Sequence, residues 1–356
     1  MYKKSAILSF YSETPIHMGS GQSVSYVDLP VQRERHTSFP VLWSSGIKGV
    51  IRDLAFRVWN NNKEKVEVIF GPEDGSDFAS CISITDAKIL LYPVRSLKGI
   101  FAWITCPFVL KKFKEDLRAI GIDFKVNNQD IQIPDVSDDK IIVANNSGLI
   151  INNNQVALEE FVFEIDSSQS GLVDTLANFL NGQKIITEND LTKDLQNHLA
   201  IVSDNVFKDF VNYAVEIRTR IRIDQTTGTV KERALFSEEL ISSESVFYSL
   251  VFITDPYFGI EKELYEQLKS KKERNETPEW NEVKNKLKGD ENTKNKIWDR
   301  LQKAWDGKYF TDEEVLDSVK KILNNQLLQL GGDETLGKGY IRVKIYPETQ
   351  SQGGQS

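Results

Sequence analysis

Cysteine is nearly absent: the 356 residues hold only Cys81 and Cys106, far apart and matching no zinc-ligand spacing. Long apolar runs are missing too. No stretch approaches the roughly 18 residues that would span a membrane. The start, Met1-Tyr2-Lys3-Lys4, passes straight into an alternating strand pattern without the apolar centre of a signal peptide. These absences set the expectation of a cytoplasmic, reduced protein with no membrane partner, its cysteines serving as small buried apolar residues. Excess positive charge is also lacking. A net charge of −8 excludes indiscriminate nucleic-acid binding through the whole surface. No repeat recurs at solenoid spacing.

What is present describes an ordinary globular chain, 40% hydrophobic and 27% charged, long enough for one large core or two smaller ones. Its charge is uneven. Residues 1–59 carry a net +3, which leaves −11 for the rest and places a local basic surface on an acidic body. Ala6–Tyr11 reads as a strand and enters the loop Glu13-Thr14-Pro15-Ile16-His17-Met18-Gly19-Ser20-Gly21. Tyr26-Val27-Asp28-Leu29-Pro30 and Arg33-Glu34-Arg35-His36 follow. Such a loop can offer N–H groups to an anion, and its side chains can grip or cut a phosphodiester. Ser44 or Ser45 is the expected cap of a helix whose buried stripe is Ile47, Val50, Ile51, Leu54, Ala55 and Val58. Lys48 and Arg52 share another face near its start, suited to an anion.

Further on, 71–78 reads as a turn-rich linker containing Gly71, Pro72 and Gly75. Ile82–Val94 reads as one long strand, Phe101–Thr105 as another stopped by Pro107, and 109–120 as an amphipathic helix. This is the ferredoxin-like order short of its last strand. Residues 121–170 read as an Asn- and Asp-rich β insertion and 171–210 as partly helical. In Ile217–Asp224 the guanidinium groups of Arg218, Arg220 and Arg222 share one face of a strand, because side chains alternate with period two. A turn at Thr226-Thr227-Gly228 and a return from Val230 make a projecting basic hairpin, with Phe247–Thr254 returning to the sheet. Residues 260–309, dense in Lys and Glu, read as a helical insertion anchored by Trp280, Trp298 and Trp305. Thr311 and Glu314 form a capping box for a helix with the stripe Val315, Val319, Ile322, Leu323, Leu327 and Leu330. Gly331, Gly332, Gly337 and Gly339, with Lys338, make a glycine-rich loop expected to cradle phosphate. A last strand follows at Ile341–Ile345, and 351–356 reads as a disordered tail.

Five pieces in this order carry a resemblance. They are Thr14–Gly21, Val27–His36, Trp103–Pro107, Asp224–Glu239 with its Arg-rich lead-in, and Gly331–Tyr340. The chain resembles the backbone subunits of type III-B CRISPR effector complexes, the Cmr complexes, in the RAMP superfamily. The resemblance implies an α+β fold: a RAMP core (modified ferredoxin-like, RRM-like) with a projecting β-hairpin thumb and a helical insertion. It also implies a single domain, 1–350, with core segments near 1–120, 171–216, 245–259 and 310–346, and the thumb at 217–244. It implies copies stacked head to tail along a CRISPR guide RNA beside other Cmr subunits, with a thumb that displaces one nucleotide of a complementary target RNA. The family's cleaving aspartate falls on Asp28, which would hold a divalent metal, Mg²⁺ or Mn²⁺, while the RNA 2′-OH attacks in line. His17 and Glu239 are possible assistants. His17, Gly19, Ser20, Gly21, Arg33, Arg35, Lys48, Arg52, the three hairpin arginines and the glycine loop are expected RNA contacts. A non-cleaving scaffold, the sibling type III-A subunit, a metal-independent guide-processing nuclease and an oligomeric structural protein remain as alternatives.

Overall fold

The computed structural model describes residues 2–22, 27–73, 78–152, 154–182, 185–186, 189–346 and 349–350, without the side chains of 231–234 and 349–350. Tyr26, Gly75 and the tail 351–356 lie outside the described residues. β1 (Lys4–Ser12) is the apolar run after the N-terminus, buried throughout after Lys4. α1 (Ser44–Val58) buries Ile47, Ile51, Leu54 and Ala55, whereas Val58 at its last turn is exposed. Neither serine side chain caps it. Trp43 is the N-cap residue, and Asp86 Oδ1 accepts the Ser44 N–H at 2.7 Å. Asp86 can reach because the expected long strand is split. Ile82–Ile84 is one piece, and β2 (Ala87–Arg95) is the next. β3 (Phe101–Thr105) leads into α2 (Pro107–Ala119), where Pro107 occupies the first helical turn that lacks N–H partners anyway.

β4 (Lys140–Val143), β5 (Leu199–Ile201) and α3 (Asp204–Tyr213) precede the hairpin, β6 (Glu216–Ile223) and β7 (Val230–Leu240). β8 (Val246–Ile253) returns to the sheet. Helices Lys262–Glu273, Trp280–Lys286 and Glu291–Asp306 follow. Trp305 is buried, crosses Trp280 edge-on at 5.7 Å and meets Phe310 at 5.2 Å, so the tryptophans pin these helices to the body. α4 (Asp312–Leu323) opens with the Thr311/Glu314 capping box. It stops at Asn324-Asn325, and β9 (Gln326–Gln329) begins. Leu327 is therefore an exposed strand residue rather than part of a helix stripe. β10 (Tyr340–Ile345) closes the fold.

The main sheet runs β9-β10-β1-β8-β2-β3-β5-β4 and continues through strands Phe161–Ile165, Gln155–Leu158 and Ile150–Asn152. β1 pairs antiparallel with β8 and β10, so both chain ends converge on the centre of the sheet. Large side chains such as Trp103, Phe113, Phe207 and Phe247 are fully buried, each stabilising the fold by roughly 1.5–3 kcal/mol. β6 and β7 pair with each other as a two-stranded sheet apart from the main one. Their middle and tip are exposed, with Ile221, Ile223, Val230 and Leu235 all open to solvent. The projecting hairpin expected from the sequence is there.

Candidate active site at the foot of the hairpin

The foot of the hairpin is where three distant segments meet. β7 runs through Ser237, Glu238 and Glu239, and alternation sends these side chains to opposite faces. Leu29 lies beside Glu238 as a parallel bridge. Its N–H donates to the Ser237 carbonyl at 3.1 Å, and the Glu239 N–H donates to the Leu29 carbonyl at 3.0 Å. Leu29 is thus joined by a single bridge to the root of the hairpin.

Asp28 sits exposed immediately before Leu29. The Ser237 N–H donates to its Oδ2 at 2.7 Å and the Ser237 hydroxyl to the same oxygen at 3.0 Å, while the Asp28 N–H donates to Ser237 Oγ at 3.1 Å. Backbone and side-chain bonds from Ser237 hold the Asp28 carboxyl below its ordinary 3.8, so at neutral pH it is a carboxylate facing solvent.

Glu239 is buried on the same face. Its carboxylate accepts the Val31 N–H at 2.9 Å and Arg33 Nη2 at 2.5 Å. Arg33 also donates to the carbonyls of Ser38 and Val211, each at 2.9 Å. The pair is a tie between the loop, the hairpin and the end of α3. This differs from the expected second metal carboxylate and guide-phosphate contact, because both groups already meet their opposite charge. His17 is buried, and its Nδ1 lies 2.8 Å from the Glu239 carbonyl. A carbonyl only accepts, so Nδ1 carries a proton in this contact. Nε2 faces Gly19, where a Cβ would stand 3.0 Å from it.

On the other face of β7, Glu238 is fully buried. Lys338 Nζ and Arg220 Nη1 donate to its carboxylate, Arg220 at 2.8 Å, and Asp333 Oδ2 accepts from the same Arg220 nitrogen at 2.8 Å. Lys338 is therefore buried in a mixed-charge cluster rather than offered to phosphate. The glycine loop is spoken for in the same way. Gly332 N–H donates to the His17 carbonyl and Gly339 N–H to the Pro15 carbonyl, both at 2.9 Å. Gly331 and Gly339 have φ of 89° and 74°, and a Cβ on either would collide with a carbonyl, of His17 and Leu330 respectively. Gly337 N–H closes a turn onto Glu334. Gly331 and Gly339 let the last loop lie against the first, which engages the Gly332 and Gly339 N–H groups.

Of the remaining expected contacts, Gly19, Ser20, Gly21 and Arg35 are exposed, although the Ser20 N–H already donates to the Pro30 carbonyl at 3.0 Å. Arg218 pairs with Glu216 at 2.5 Å, and Arg222 is exposed further out. Arg52 donates to the Gly71 carbonyl at 2.5 Å, and half-buried Lys48, its ammonium pushed down by burial, lies in the field of Cys81 and Arg52. That face of α1 lies toward Gly71 and Cys81. Sequence reasoning missed Ser237 and the buried Glu238 cluster. Period-two alternation through β7 could have flagged the strand, but not its partners.

Among the described residues, no three His, Cys, Asp or Glu side chains are grouped to hold a metal ion. No helix among them is long and apolar enough to cross a membrane. An ion at Asp28 would therefore rest on one protein carboxylate, with water and substrate oxygens as its other ligands, a pattern natural to Mg²⁺.

Comparison with known proteins places this geometry in context. Residues 9–342 match the model of the RAMP superfamily. The chain is 34% identical to the CRISPR system Cmr endoribonuclease Cmr4 of Pyrococcus furiosus, over 98% of each chain. It superposes on the crystal structure of oligomeric Cmr4 from the same organism with a TM-score of 0.65 at 30% identity, covering 98% of this chain and 99% of that one. It shares its fold with a chain in the cryo-EM structure of the type III-B Cmr-beta complex bound to cognate target RNA, with a TM-score of 0.64 at 18% identity, covering 97% and 98%.

Proposed function

Because this chain belongs to the RAMP superfamily, we propose that it works as the backbone subunit of a type III-B CRISPR ribonucleoprotein and cleaves target RNA complementary to the guide. It is a homologue of a Cmr endoribonuclease along almost its whole length. The observation that carries the residue assignment is Asp28: an exposed, ionised carboxylate fixed at the root of a projecting hairpin. Copies of the chain stack head to tail along the guide through a heterologous interface that does not close, beside the other subunits of the complex. The hairpin splays one target nucleotide next to Asp28.

RNA supplies its own nucleophile. The 2′-oxygen forms a bond to phosphorus as the bond to the 5′-oxygen breaks. The 2′ proton leaves to solvent, and the departing oxygen takes one up. Products are a 2′,3′-cyclic phosphate and a 5′-OH. Holding the 2′-OH, phosphorus and 5′-oxygen in line supplies much of the acceleration. With its pKa held low, Asp28 is a poor proton acceptor, so its part is to place negative charge and orient its ligands. A divalent cation, Mg²⁺ or Mn²⁺, held by Asp28 would stabilise charge on the scissile phosphate. Gly19–Gly21, Arg35 and Arg222 are the exposed groups best placed for RNA backbone.

The test is cleavage of end-labelled RNA by the complex assembled with guide and partner subunits. Complementary RNA is expected to yield evenly spaced products with cyclic-phosphate and 5′-OH ends, and chelation of divalent ions to stop the reaction. Unimpaired cutting in excess chelator, or equal cutting of unrelated RNA, would contradict the proposal.

A further inference from the structure

We infer that Ser237 is a positioning residue that fixes the Asp28 carboxylate for target-RNA cleavage. The inference rests on the assignment of cleavage to Asp28. Ser237 makes three contacts with that one residue: its N–H and hydroxyl both donate to Oδ2, and its Oγ accepts the Asp28 N–H. Two of these bonds hold the Asp28 carboxylate through Oδ2 and the third ties its backbone to the same serine, so together they direct Oδ2 into the hairpin. An exposed aspartate without such a clamp would exchange rotamers on the ps–ns scale. The low pKa of Asp28 is the electrostatic trace of the same bonds.

The clamp is local. One turn of the strand repeat further on, Glu239 holds the same segment through Val31 and Arg33, and the Leu29 backbone pairs with both Ser237 and Glu239. Losing the Ser237 hydroxyl therefore leaves the segment docked and frees chiefly the Asp28 side chain. The backbone N–H bond to Oδ2 survives such a change, so activity should fall in part. Ser237 lies opposite Thr219 in the β6–β7 register, and a β-branched hydroxyl suits a strand. Threonine at this position keeps the donor.

The experiment uses the full assembled complex with guide RNA, comparing Ser237→Ala, Ser237→Thr and Asp28→Asn. Ser237→Ala is expected to lower the single-turnover cleavage rate about 10–100-fold, the range for a lost supporting contact, with target-RNA affinity unchanged. Ser237→Thr should recover the rate to within about threefold. A wild-type rate for Ser237→Ala beside an inactive Asp28→Asn overturns the clamp and leaves the Asp28 assignment standing. Wild-type cleavage by Asp28→Asn overturns both. Equal losses of rate and target binding in Ser237→Ala, without rescue by threonine, mark the residue as merely structural and also overturn the inference.

Discussion

Glu244 lies in the turn that joins the hairpin to β8, at φ 67°, its N–H donating to the Ser12 carbonyl at 2.7 Å and its carbonyl accepting Trp103 Nε1 at 2.7 Å. Its carboxyl Oε2 is buried with no hydrogen-bond partner among the described residues. Burial pushes its pKa up from 4.5 to about 7. The folded state thus binds the proton more tightly than the unfolded chain, and its stabilising effect is present below 4.5 and lost as pH rises through about 7. Urea unfolding across this window should show wild type losing stability relative to Glu244→Gln as pH rises, by on the order of 1 kcal/mol after solvent screening. Parallel curves would refute it. Residues differ in how far sequence reveals them. Asp28 is legible through its flanks, since Val27–His36 carries the family resemblance. Its partner Ser237 is 209 positions away, and nothing local to either marks the contact. Arg33, Glu239 and Lys338 look like ligands in sequence because charge is visible there and pairing is not.

The hairpin shows the same limit at the scale of an element. Alternation places Arg218, Arg220 and Arg222 on one face, and mutual repulsion of three such charges calls for anions. Much of that anion is protein: Glu216 for Arg218, Glu238 and Asp333 for Arg220. Arg222, beyond these acids, keeps its charge toward solvent. Arg222→Ala should therefore weaken RNA binding, reduce the slope of log affinity against log salt by roughly 0.7–0.9, and leave stability unchanged. Arg220→Ala should instead destabilise the chain by about 2–4 kcal/mol, since it removes a partner from fully buried Glu238. Binding curves over a salt series and urea melts separate the two; equal behaviour of the variants would contradict the division. Other elements were legible wherever the signal is local. The Thr311/Glu314 box starts α4 as written. Its end was misread because leucines at 327 and 330 continue the helical period past Asn324-Asn325, where Asn325 at φ 60° turns the chain into β9.

For the whole molecule, the class of fold follows from the order of elements, whereas the sheet order does not. β1 pairs with β8 and β10, more than 200 residues away in sequence, and apolar strands alone cannot say which neighbours they choose. The same long-range closure brings the first loop, the hairpin root and the last glycine loop together, so a site built by three segments reads in sequence as three separate anion cradles. Of the three acids at the hairpin root, Asp28, Glu238 and Glu239, only Asp28 is exposed and free of a basic partner among the described residues. Glu238 and Glu239 are neutralised within the fold. We therefore propose that cleavage rests on this one carboxylate and RNA binding on a limited basic surface of an acidic chain. Asp28→Asn, assembled with guide RNA and the other subunits, tests this most directly, through target binding and single-turnover cleavage measured on the same sample. Target affinity is expected within about twofold of wild type, with the cleavage rate lowered by at least about 100-fold. Cleavage at an undiminished rate and spacing would contradict it.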